Sequence, residues 1–171
     1  MDRTDPRAAA AESVALRQFL DYQRATLLLK TDGLDAEQLN RTLPPSSLTL
    51  GGLLKHLAFV EDHWIQVRFL GRELTDLEVW GTVDWDADGD WEFHSAPHDS
   101  PAYLRELYHA ACERSRRATD DTVLDALAAG VDRSGEHWSL RWVLLHLIEE
   151  TARHLGHADF IRDSIDGTVG E

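Results

Sequence analysis

The chain has 171 residues, with 17 Lys and Arg against 31 Asp and Glu and a formal net charge of −14, a balance that repels phosphate backbones and excludes nucleic acid as the default partner. Six Trp and a hydrophobic content of 43% exclude a disordered chain and predict one domain over residues 1–171 with a sizeable core. The single Cys, Cys112, rules out an intrachain disulfide and a CxxC zinc site; with no membrane-length apolar run and no signal-peptide core, the expected location is cytoplasmic, away from any membrane.

Pro6 suits a helix start, and Val14, Leu16, Phe19, Leu20 and Leu27 recur at mostly helical spacing, so a first helix is predicted over residues 8–31, ended by Asp32-Gly33. Asp35 is placed to cap a short turn through Leu39 before Pro44-Pro45 breaks the chain. Thr49 then caps a second long helix. Its apolar stripe of Leu50, Leu53, Leu54, Leu57, Val60, Trp64 and Val67 runs to Gly71 and predicts one buried face.

Residues 71–99 hold nine acidic side chains and one basic, more than half of the net charge. Asp84, Asp86, Asp88 and Asp90 alternate as in a calcium loop, and Gly89 stands where that loop needs glycine. Ser95 occupies the position of its bidentate Glu, so a solvated acidic loop is the preferred reading. Trp80, Trp85 and Trp91 predict that the loop packs on something, as a lid or a partner surface. Ser100-Pro101 opens a third helix to about residue 118, with Leu104, Leu107, Tyr108, Ala111, Cys112 and Ser115 on one side and Cys112 read as a core residue. Ser139 caps a last helix from Leu140 to about Ile165, closed by Asp166-Gly167. Four long helices with little strand signal predict an all-α, up-and-down-type four-helix bundle with a long acidic loop between helices two and three.

The last helix carries His146, Glu150, His154 and His157 at steps of four, four and three. At about 100° per residue they fall in a stripe roughly 80° wide on one face. The i, i+4 pair Glu150 and His154 can grip one metal ion from a rigid helix. His56, with Leu53 and Val60 one turn to either side, is the candidate third ligand from helix two, because bundles build metal sites from inward side chains on facing helices. The alternative is a hydrogen-bonded network without metal, but four such groups on one apolar helix are costly to bury without a shared partner. His63, seven residues after His56, is a candidate lining residue, whereas His94, His98, His109 and His137 lack comparable constellations.

The runs LLHLIEETARHLGHADFIRDSIDG (Leu144 to Gly167) and LTLGGLLKHLAFVEDHW (Leu48 to Trp64) resemble the DinB-like superfamily of four-helix metalloproteins, in a branch common in actinobacteria. That family has one His on helix two and a His-x-x-x-His pair on the last helix. The resemblance implies His56 and His154 as ligands, with Glu150 replacing the first His of the pair, a version similar to that of mycothiol-dependent maleylpyruvate isomerases. The family name refers to DNA-damage-inducible expression and implies no contact with DNA.

The resemblance further implies a mycothiol S-transferase acting on a small-molecule thiol and an electrophile, with a divalent metal cofactor: Zn²⁺ first, and Ni²⁺, Fe²⁺ or Mn²⁺ as alternatives. A detoxification role and a homodimer are in keeping with it. An open position on a two-His, one-carboxylate site suits thiol activation, because a cation favours the thiolate. His157 is the candidate catalytic residue, with the roles of fourth ligand, base and substrate anchor all open. His146 is expected to partner Glu150 from one turn away, and Arg153 and Arg162 are expected to face solvent. Other functions to be weighed are a non-catalytic metal-binding stress protein and a metal-dependent isomerase or hydrolase.

Overall fold

The computed structural model describes residues 3–169. Four long helices dominate: α1 (Glu12–Lys30), α3 (Leu50–Asp62), α5 (Pro101–Thr119) and α6 (Leu140–Asp166), with short helices α2 (Ala36–Leu39) and α4 (Trp91–Ser95) between them. Three of the predicted caps form as local chemistry dictates. Thr49 Oγ1 accepts from Gly52 N at 3.0 Å, Ser100 Oγ from Tyr103 N at 3.2 Å, and Ser139 Oγ from Trp142 N at 3.2 Å, each satisfying an N–H that the helix leaves unpaired. Asp35 forms a full capping box with Gln38 at α2. Gly167, at φ 75°, closes α6 in the left-handed conformation that glycine adopts without steric cost.

Helix one begins at Glu12 instead of residue 8, with no side-chain cap, and Phe19 and Val14 turn out to be exposed while Leu20 and Leu27 fill the core. The second helix continues past α3 as a π-helix, His63–Phe69. A two-stranded antiparallel ribbon, β1 (Leu127–Val131) and β2 (His137–Ser139), stands where no strand was expected. Its turn is organised by Asp132, whose Oδ1 accepts from Ser134 N at 2.7 Å and Glu136 N at 3.1 Å. A three-residue strand is too short to show a period-2 signal.

The four-helix bundle is as expected, with one departure in helix direction. Asp21 pairs with Arg116 and Asp32 with Arg105, so α1 and α5 run antiparallel; Lys55 pairs with Asp99 and Asp62 with Arg114, so α3 and α5 run parallel. Glu12 pairs with Arg141 and Lys30 with Asp159, which makes α1 and α6 parallel. The order is therefore up, down, down, up. Parallel neighbours need a connection that returns along the bundle, and residues 71–99 supply it.

That segment is pinned along its length. Trp80 is buried and donates Nε1–H to Asp62 Oδ2 at 2.9 Å, while Trp85 stacks on Phe59 with centroids 4.5 Å apart. Lys55 Nζ sits 4.2 Å from the Trp91 ring centre. The acidic Asp84–Asp90 stretch remains mostly at the surface. Phe93 of α4 seats against α3 so closely that a Cβ on Gly52 would lie 2.9 Å from its ring, and the same ring stacks on His56 at 4.7 Å. The crossover thus reaches the helix that carries His56.

Arg162 is a second correction. Its side chain is only 12% exposed and donates to the carbonyls of Lys30 and Asp32 at 3.0 and 2.9 Å. A guanidinium there neutralises the unpaired carbonyl end of α1. Arg153 is exposed and pairs with Glu149 one turn away.

Candidate metal centre

Helix α6 presents Glu150 and His154 on one face, and α3 brings His56 to them from the opposite side. Among the described residues, this is the group of three or more His, Cys, Asp or Glu side chains whose ligand atoms gather, all within 4.8 Å of one another. Glu150 Oε1 lies 3.6 Å from His56 Nε2 and 3.3 Å from His154 Nε2. Two ligand atoms bound tetrahedrally at about 2.05 Å from one ion are about 3.3 Å apart, so the two edges at Glu150 are close to those of a shared small cation. The Asp84–Asp90 alternation forms no such group.

The tautomer of His56 is fixed by a residue that the spacing argument did not single out. Glu92, buried in α4, accepts a hydrogen bond from His56 Nδ1–H at 2.9 Å. That leaves Nε2 with its lone pair toward Glu150 and without a hydrogen-bond partner, although the atom is buried. A carboxylate behind an imidazole raises its basicity and sets its orientation as a ligand. The only sequence signal for Glu92 was its place between two aromatic residues, Trp91 and Phe93. His146, expected to support the cluster, instead stacks on Trp142 at 5.2 Å and lies 4.3 Å from Trp64.

Burial and the neighbouring His56 imidazole hold His154 below the usual histidine range, partly opposed by Glu150. It is therefore neutral near pH 7, the form in which an imidazole ligates. The donor set of two imidazole nitrogens and one carboxylate oxygen fits a first-row divalent ion. Side chains of His56, Glu150 and His154 are 17%, 24% and 13% exposed, so the cluster is lined by protein yet reachable from solvent. His157 is exposed, with its ring 5.8 Å from that of His154, and stands outside the three-residue group.

Beyond the cluster, Phe59 links to Trp85 on one side and to His63, at 5.4 Å, on the other. Arg68 Nε donates to His63 Nε2 at 3.0 Å, which places the ring proton on Nδ1. Burial, with Arg68 beside it, pulls His63 down to about 4. Cys112 is not among the gathered ligand residues: it is buried, and burial pushes its thiol pKa up, which leaves it an inert core residue.

A protein-family model described as Mycothiol-S-transferase matches residues 15–167, a span that begins in α1 and ends at the cap of α6. No curated protein matches the chain. No helix among the described residues is long and apolar enough to cross a membrane.

Proposed function

The chain belongs to the mycothiol S-transferase family, and from that premise we propose that it joins the sulfur of mycothiol to an electrophilic small molecule at a divalent ion held by His56, Glu150 and His154. The observation that carries this reading is the convergence of one carboxylate and two imidazoles from facing helices, with Glu92 holding His56 in its ligating tautomer. Zn²⁺ is the ion best suited to this donor set, and Ni²⁺, Fe²⁺ and Mn²⁺ accept the same ligands. When bound, such an ion supplies positive charge that stabilises a thiolate near neutral pH.

The side chains divide the remaining work. Glu92 keeps His56 Nε2 directed into the cluster, and Glu150 balances positive charge there. Phe93, stacked on His56, excludes water from that side of the centre. His157, exposed and beside His154, takes the thiol proton on a ring nitrogen and returns it to solvent. Sulfur then forms its bond to the electrophilic carbon while the leaving group departs with the electron pair of the broken bond. No protein nucleophile is needed, in keeping with a buried Cys112.

Two measurements test this. Elemental analysis of the wild-type protein is expected to give a stoichiometric divalent ion that is lost in His56→Ala and in His154→Ala; retention in both variants would sink the ligand assignment. Metal-loaded protein incubated with mycothiol and monochlorobimane is expected to form the bimane conjugate above background, and His157→Ala is expected to slow it at least tenfold near neutral pH. Absence of conjugation across a panel of thiols and electrophiles would remove the transferase reading.

A further inference from the structure

The end of α6 nearest its N-terminus carries a cluster that thiol activation does not use. Trp142 lies nearly parallel to His146, with centroids 5.2 Å apart and planes 12° apart, and Trp64 meets both rings, at 5.3 and 4.3 Å. Trp138 from the β-ribbon closes the group at 5.3 Å from Trp64 and 5.9 Å from Trp142. Aromatic side chains of this size ordinarily bury their faces, yet Trp142 is 43% exposed. The cluster also has a polar edge. Arg68 is exposed there and holds its guanidinium 5.9 Å from the Trp138 ring.

We propose that this cluster is the platform for the sugar rings of the thiol substrate, with the exposed part of the Trp142 indole taking an apolar ring face and Arg68 donating to ring hydroxyls. An aromatic face bordered by hydrogen-bond donors suits a carbohydrate, whose rings are apolar on their faces and polar at their rims. A purely apolar electrophile would leave those donors unpaired. The spacing agrees. His146 and Trp142 precede Glu150 by four and eight residues, about 6 and 12 Å along the helix axis. Mycothiol separates its sulfur from the first of two linked rings by five covalent bonds, on the order of 6 Å when extended. A sulfur at the candidate centre therefore leaves the two rings within reach of the cluster.

This inference rests on the mycothiol reading, and binding of unreactive ligands tests it separately from turnover. The probes are S-methylmycothiol, whose sulfur is blocked, and glucosaminylinositol, which lacks the cysteinyl arm. Calorimetric titration of the full chain is expected to show saturable binding of both. Trp142→Ala is expected to weaken each about tenfold, Trp142→Phe by less, and Phe160→Ala, which removes a still more exposed aromatic from the same helix, not at all. Unchanged circular dichroism in Trp142→Ala, which truncates a half-exposed side chain, separates lost binding from lost folding. Wild-type affinity in Trp142→Ala overturns the platform, even where conjugation proceeds. Absence of conjugation with any thiol, together with binding that depends on Trp142, leaves the platform standing and removes the transferase reading.

Discussion

Glu92 shows how one side chain changes the chemistry of another. Without it, His56 would be free to carry its proton on either nitrogen, and the Nε2–H tautomer would present N–H toward Glu150 instead of a lone pair. With Nδ1–H donated to a buried carboxylate at 2.9 Å, only Nε2 is left to ligate. Removing such a partner typically costs about 10–100-fold in metal affinity. Competition against a chromophoric chelator is expected to place Glu92→Ala in that range, with Glu92→Gln between it and wild type because the amide oxygen still accepts. A Glu92→Ala protein that holds metal as tightly as wild type would show that the hydrogen bond is only structural. His154 stays neutral near pH 7 because burial and the neighbouring His56 lower its pKa, against the opposing pull of Glu150.

Helix α6 is the element on which most of the proposed machinery depends. It carries the Trp142 and His146 rings, Glu150, His154 and His157 on successive turns of one rod, so its placement sets the whole row together. Its start is fixed by Ser139, its end by Gly167, and its middle by a buried row of Leu140, Val143, Leu144, Leu147, Thr151, Leu155, Ala158 and Ile161. Cap and stripe are both local sequence signals, which is why the helix was legible from its residues alone. Ser139→Ala removes the acceptor for Trp142 N and is expected to cost about 1 kcal/mol. Urea unfolding should show this as a lower midpoint with an unchanged slope; an unchanged midpoint would mean that tertiary contacts alone hold the first turn. The β-ribbon that precedes α6 had no comparable signal, and its strands are held by the Asp132 turn and by Trp138 packing on Trp64.

At the scale of the molecule, a buried charge pair joins the middle of α1 to α3. Arg24 donates from Nε and Nη2 to the two carboxylate oxygens of Glu61, each at 2.6 Å, and both side chains are buried. Burial alone would lower the Arg24 pKa, but Glu61 holds it well above its ordinary value. Arg24→Met strands the Glu61 carboxylate and is expected to cost about 3–5 kcal/mol, whereas Arg24→Met with Glu61→Leu is expected to recover most of that loss. Chemical denaturation of the three proteins checks this, and a double variant as unstable as the single one would show that the pair contributes more than mutual compensation. The net charge of −14 also acquires a structure. Much of it lies on a crossover that must travel back along the bundle so that α5 can run parallel to α3, and this sets the length of residues 71–99. The sequence by itself determined four amphipathic helices, three of their caps and the grouping of Glu150 with His154, because all of these depend on spacing within a single element. Helix direction, the place of Glu92 behind His56, the stacking of His146 on Trp142 and the burial of Arg162 were decided only by the tertiary structure. Each of these depends on which side chains from distant segments meet, and no local period encodes that.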